Sequence, residues 1–283
     1  MNKKRLIISY IISIALVICL SASILLCVVN TNLLNVLNVK KKLAENNYYE
    51  SVYNIINDSY NNYIMQSGFD NTVLEGVFSK EDVEKDVNGI VDYIYTGNEY
   101  IIQTDALRLK LDENIQKFIE ENNYAVSEEN QKSIEEFEKT IEDTYKKNIE
   151  YSHESIGTIS GYTDKARKSI RAIIILTFIM LAVLTYVVHK LNKPAVGISL
   201  LSTGALCIFL KCYSGVNVAV NNILIFNKAF SNVLISTVNN ILQTLFTFGI
   251  ILCIAGCFWI LWFELTKKIK KMLLLEEHSQ VIR

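Results

Sequence analysis

Four stretches of this chain contain no Asp, Glu, Lys, Arg or His: Leu6–Val29, Ala172–Val188, Ala195–Leu210 and Ile241–Phe263. A bilayer core takes about 20 apolar residues in helical form. It offers backbone N–H and C=O groups no partner outside their own segment, so runs of this kind must be helices. They divide the 283 residues into four parts. Residues 1–30 are a short N-terminus and the first span, and 31–170 are a polar insert. Residues 171–264 hold three further spans with an amphipathic segment at 213–240, and 265–283 form a basic tail. The expected fold class is all-α, with four transmembrane helices and a mainly helical extracytoplasmic domain inserted between the first and the second.

Charge follows the same division. Residues 31–170 carry 15 Lys/Arg against 26 Asp/Glu, a net −11, whereas the remainder carries 13 against 3, a net +10. Acid lies on the insert and base at the borders of the apolar runs. Lys3, Lys4 and Arg5, then Lys190 and Lys193, then Lys267, Lys268, Lys270 and Lys271 all fall on one side of a four-span protein. Short-loop bases mark the cytoplasmic side. A multi-pass protein of the cell membrane with both termini inside is therefore expected. A cleaved leader is the competing reading of the N-terminus, but the first apolar run exceeds the 7–15 residues or so of a signal core. An uncleaved span is expected.

All six cysteines (19, 27, 207, 212, 253 and 257) lie in or beside apolar runs, and the insert has none. An exported domain without disulfides must hold together by packing. Its sequence provides the stripes to do so. Tyr49, Val52, Tyr53, Ile56, Tyr60, Tyr63 and Ile64 recur at helical spacing before Gly68. Ser79 with Asp82 reads as an N-cap ahead of Val83, Val87, Ile90, Val91 and Ile94, with Gly97 as the stop. Glu99–Gln103 reads as a short extended piece. Thr104 is placed to cap a helix striped by Leu107, Leu111, Ile115, Phe118 and Ile119, and Ser127 to open one striped by Ile134, Phe137, Ile141, Tyr145 and Ile149. Amphipathic helices bury such stripes against one another. The first and fourth are expected to be long antiparallel arms of roughly thirty residues, about 45 Å at 1.5 Å per residue. Gly157 and Gly161 are expected to break the fourth, and Thr163 to cap the helix leading into the second span. Pro194 suits the first turn of the third span.

Val216–Asn240 places Ile223, Phe226, Phe230, Val233 or Leu234 and Ile241 on one face, opposite asparagines and Lys228. The expectation is a helix in the membrane interface, with a partly re-entrant helix as the alternative. Gly197 and Gly204 lie seven apart in the third span, and Gly249 and Gly256 repeat the spacing in the fourth. Small residues at such spacing allow close helix approach in lipid.

Few residues invite chemistry. His153, His189 and His278 are isolated, so no metal-ligand spacing is present, and no phosphate-binding glycine loop or nucleophile elbow occurs. No cofactor is expected. The acidic run through Glu135, Glu136, Glu138, Glu142 and Asp143 lacks the loop of a calcium site and reads as a solvated helix face. Lys165, Arg167, Lys168 and Arg171 precede the second span and are candidates for lipid headgroup contact, against the plainer reading of boundary anchors. Tyr48, Tyr49 and Tyr53 are candidates for stacking on a sugar or a partner, against the plainer reading of core residues.

Three segments carry a resemblance: Tyr60–Gly68, Val73–Ser79 and Asp86–Tyr95. They resemble uncharacterised four-span integral membrane proteins of low-G+C Gram-positive bacteria. The resemblance covers the first half of the insert and implies no activity. The expected function is non-enzymatic: the acidic outer domain binds, senses or scaffolds at the cell envelope. The alternative is a transport component or passive pore formed by the spans. Expected partners are membrane lipids and another membrane or envelope protein, with a homo-oligomer compatible and nucleic acid excluded by the acidic insert.

Overall fold

A computed structural model describes residues 3–150, 153–221 and 228–281. Among these the secondary structure is helical, with no strand. Backbone contacts separate two units: residues 34–167 with 224–234, and residues 1–33 with 168–223 and 235–283.

The first, helical unit holds α2 (Val36–Glu45), α3 (Tyr48–Ser67), α4 (Lys80–Thr96), α5 (Asp105–Glu121) and α6 (Glu128–Ile149). Helix ends leave backbone groups unpaired, and local side chains satisfy them. Ser79 accepts from the Asp82 amide while the Asp82 carboxylate accepts from the Ser79 amide, a complete capping box. Ser127 accepts from the Asn130 amide. Gly68 and Gly97 close α3 and α4 at φ +81° and +77°, a left-handed conformation that costs glycine least. Thr104 departs from expectation. It stands at the start of α5, but its hydroxyl donates to Glu142 Oε1 across to α6 at 2.6 Å instead of capping its own helix.

The stripes meet as their periods require. Ile56, Tyr60, Leu111, Ile115 and Ile141 are fully buried, with Val73 of a 3₁₀ turn (Asn71–Leu74) among them. Burying each such side chain favours folding by about 1.5–3 kcal/mol. Phe78 is the keystone, its ring 5.0 Å from Tyr53, 5.2 Å from Tyr60 and 5.8 Å from Tyr145. Helices α3 and α6 run antiparallel, as expected, with the Tyr60 hydroxyl donating to the Ile141 carbonyl. They are shorter than expected, 20 and 22 residues, or about 30 Å each. The preceding stretch forms α2 as a separate piece, capped by Asn35 and turned by Asn47 at φ 52°.

The second unit holds α1 (Lys3–Leu33), most of α7 (His153–Leu191), α8 (Lys193–Cys212), α9 (Ser214–Asn221) and most of α10 (Lys228–Val281). Helices α1, α7, α8 and α10 are long and apolar enough to cross a membrane. Leu16 of α1 packs with Val188 of α7 and with Ala195 and Val196 of α8. Further along, Val28 packs with Ile241 and Leu245 of α10, and Asn240 donates to Asn32 at 3.0 Å. Helices α8 and α10 touch at two reciprocal glycine pairs. A Cβ on Gly204 would lie 2.6 Å from the Gly249 carbonyl oxygen, and one on Gly256 would lie 2.8 Å from that of Gly197. The seven-residue glycine spacing is thus an antiparallel seam. Pro194 lies in the first turn of α8, as expected.

Two expectations are corrected. Helix α7 runs unbroken through Gly157 and Gly161. Glycine weakens a helix by only about 1 kcal/mol, and Gly157 has a packing role, since a Cβ there would lie 3.1 Å from the Tyr93 hydroxyl. Thr163 is accordingly not a cap, and its hydroxyl donates back to Ile159. The second correction concerns 213–240. No separate interfacial helix occupies 228–240, because these residues are the first turns of α10. The apolar face of that stretch turns to protein. Phe230 lies 6.4 Å from Tyr48, edge to face, and Val233 joins the core of the helical unit. Ile223 and Phe226 lie outside the described residues.

Candidate functional site

The helical unit contains an open cavity of about 730 Å³. The C-terminal turns of α3 and α5, the first half of α6 and the 122–127 connection surround it. Phe69 forms its floor, 5.5 Å from Phe118 and 5.1 Å from Phe137. Tyr124 stacks on Phe118 at 5.8 Å. The left-handed turn at Asn123 (φ 54°) brings the chain back over the end of α5, and the Tyr124 amide bonds to the Ile119 carbonyl. Tyr124 and Val126 nevertheless stay 59% and 45% exposed, so apolar surface remains open at the rim. Asn130, Ser133, Glu136 and Thr140 add polar groups along the α6 wall. Glu120, Glu121, Glu128, Glu129 and Glu135 flank the same segments, against Lys117, Lys132 and Lys139. The arrangement is a concave aromatic surface with a few polar groups, the general character of ligand sites, set in a negative field.

A second polar group is closed off. Asp86 is buried, and its two oxygens accept hydroxyls from Tyr100 at 2.6 Å and Tyr145 at 2.8 Å. The Tyr100 ring lies over Gly89, where any Cβ would fall 2.4 Å from it. Burial and the Asp86 charge push both phenols above the usual tyrosine range. Both therefore stay protonated donors and brace α4, the 99–103 segment and α6. The carboxylate's need is met, as a buried charge requires.

Two glutamates one turn apart on α6 differ. Glu138 is buried and faces the Arg108 guanidinium at 3.8 Å. Burial, with Asp112 and Glu135 nearby, raises its pKa despite Arg108. Glu142 accepts from Lys146 and Thr104, both at 2.6 Å, and is held below the usual carboxylate range.

The sequence candidates scatter. Tyr49 is buried, with its hydroxyl donating to Asn88 at 2.9 Å, and burial raises its pKa. Tyr48 is half-buried against Phe230, and Tyr53 half-buried against Phe78. None of the three lines the cavity. Arg167 donates to the Tyr95 carbonyl at 2.9 Å and so latches α7 to the end of α4. Lys165, Lys168 and Arg171 are exposed along α7.

Sequence reasoning missed both the cavity and the Asp86 group, yet each left a trace. Asp86 interrupts the apolar stripe of α4 between Val83 and Ile90, with Gly89 beside it. Tyr124 and Val126 are apolar residues in the break between two helices. Among the described residues no cluster of His, Cys, Asp and Glu could hold a metal ion. No family model, no curated protein and no solved structure matches this chain.

Proposed function

We propose that this chain is a non-enzymatic membrane-anchored binding protein, whose outer helical domain captures a cationic ligand bearing aromatic or aliphatic groups. The aromatic-walled cavity between α3, α5 and α6 carries the reading. Its floor accepts apolar groups, and the acidic flanks favour positive charge and disfavour phosphate-rich polymers. The four apolar helices serve as the anchor. The glycine seam supports this role, because backbone contact leaves no lumen between α8 and α10. The short-loop bases support a cell-membrane orientation with both termini in the cytoplasm and the helical domain outside. Any signal would then pass through a partner protein.

Ser133 offers one test of placement and access, since it is exposed and lines the cavity. In a chain whose six cysteines are replaced, Ser133→Cys should react with an impermeant maleimide in intact cells. Labelling only after lysis would overturn the orientation. The ligand class is tested with a dansyl-labelled Lys-Phe-Lys-Phe peptide and its Glu-Phe-Glu-Phe counterpart, using the full chain in neutral detergent. The first should bind in a salt-sensitive way, and Tyr124→Ala should weaken it by roughly tenfold, the worth of one aromatic contact. Equal binding of both peptides, or no effect of Tyr124→Ala, would overturn it.

A further inference from the structure

The span unit has a groove of its own, unconnected with the reading above. Phe178, Leu181, Ala182 and Thr185 recur along one face of α7, and Trp259 of α10 borders the far side of an open groove of about 540 Å³. The Trp259 indole is fixed. Its N–H donates to the Lys193 carbonyl at 3.1 Å, and the His189 ring meets it edge to face at 6.0 Å. At the same end Lys190 lies 5.6 Å over the Tyr186 ring, and the Lys193 side chain is exposed. An apolar slot therefore ends in an aromatic clamp, with the Lys190 ammonium over Tyr186 and the exposed Lys193 next to the backbone bond that holds Trp259.

Those cations have little to pair with. Residues 165–263 contain no Asp or Glu. Among the described residues neither Lys190 nor Lys193 makes an ion pair. Nearby α10 continues into Lys267, Lys268, Lys270 and Lys271, all exposed, which adds more positive charge. A negative group would be favoured here, and a bilayer supplies one already joined to an apolar chain.

We propose that this groove is a binding site for one anionic phospholipid, with an acyl chain along Phe178–Thr185 and the headgroup phosphate against Lys190 and Lys193. Basic pockets between spans that select acidic lipids follow the same physics: apolar burial holds the chain, and each base adds to the preference for negative charge. A ring of neutral interfacial aromatics would retain every phospholipid alike. The unpaired lysines at the mouth distinguish this groove from such a ring.

The chain has two tryptophans, so Trp262→Phe leaves Trp259 as a reporter inside the groove. The full-length variant in neutral detergent micelles is titrated with phosphatidylglycerol brominated on its acyl chains, and separately with brominated phosphatidylcholine. Trp259 emission should be half-quenched at a mole fraction roughly tenfold lower for the anionic lipid. Unbrominated phosphatidylglycerol should restore the emission. Lys190→Gln with Lys193→Gln should remove the difference, and these exposed side chains leave the backbone bond to Trp259 in place. In the control Trp259→Phe, Trp262 should be quenched equally by both lipids. Equal quenching of Trp259 by the two lipids, or an undiminished preference in the double variant, would overturn the proposal.

Discussion

In the helical unit, α3 meets α6 through Ile56, Tyr60 and Ile141, side chains of full size that are wholly buried. In the span unit, α8 meets α10 at Gly204–Gly249 and Gly197–Gly256, where backbone lies against backbone. The difference follows from the surroundings each unit suits. In water, large apolar side chains gain by leaving solvent, so the interface uses them and their area sets its strength. In lipid a leucine gains nothing by leaving the surroundings, and association relies on close van der Waals approach. Hydroxyls do not divide in this way: Ser13, Ser23 and Thr31 of α1 bond back to the carbonyl one turn earlier, and so do Ser51, Ser59, Ser133 and Thr140 of the helical unit. The helical unit also uses hydroxyls in a cap and in cross-helix bonds, as at Ser79, Thr104 and Tyr60.

This contrast can be broken from either side. The largest effect is expected at Leu111, fully buried among α3, α5 and α6. Leu111→Ala should cost the helical unit about 2–5 kcal/mol. Hydrogen exchange of the full chain in detergent should speed up in α3–α6 and stay unchanged in α8 and α10. Faster exchange in both would show that the two units melt as one.

The reverse test is Gly204→Val, which forces a side chain into a space where Cβ alone would meet the Gly249 carbonyl at 2.6 Å. Overpacking of this kind costs about 1–3 kcal/mol. The loss should appear as faster exchange in α8 and α10 and as easier unfolding in mixed detergent. Tolerance of valine would mean the seam is not a real close approach. A smaller change is expected at the α4 cap: Ser79→Ala should destabilise the helical unit by about 1 kcal/mol, read in its melting temperature.

The finest test uses pH. Folding raises the Glu138 pKa above the ordinary 4.5, so the folded state holds that proton more tightly than the unfolded chain. Its contribution is greatest in acid and falls as pH rises from about 4.5 through the folded value. Folding lowers the Glu142 pKa, so its contribution is full above 4.5 and is lost as pH falls through the folded value. Glu138→Gln should therefore improve stability at neutral relative to acid pH, and Glu142→Gln should do the opposite. Thermal melts between pH 3 and 7 would show curves of opposite slope change, and parallel curves would refute the assignment.

The all-helical class, the four apolar helices, the caps at Ser79 and Ser127 and the stops at Gly68 and Gly97 were legible in the chain. They depend on neighbours within a turn or two, or on long uncharged runs, and local spacing carries that information. The glycine spacing in α8 and α10 was legible too, though not that the two pairs meet. Other features depend on which segments come together in space. The face of 228–240 suited a membrane surface as well as a protein core, and only Tyr48 and the core around Val233 decided between them. The same holds for Thr104, whose hydroxyl could cap α5 until Glu142 of α6 arrived beside it. Gly157 reads as a helix breaker by propensity, yet α7 runs through it, and the nearby Tyr93 hydroxyl leaves little room there for a larger side chain. The cavity beside Tyr124 and the groove at Trp259 belong wholly to the second kind. Each is a space between helices distant in sequence, and periodicity describes the faces of helices but not the gaps between them.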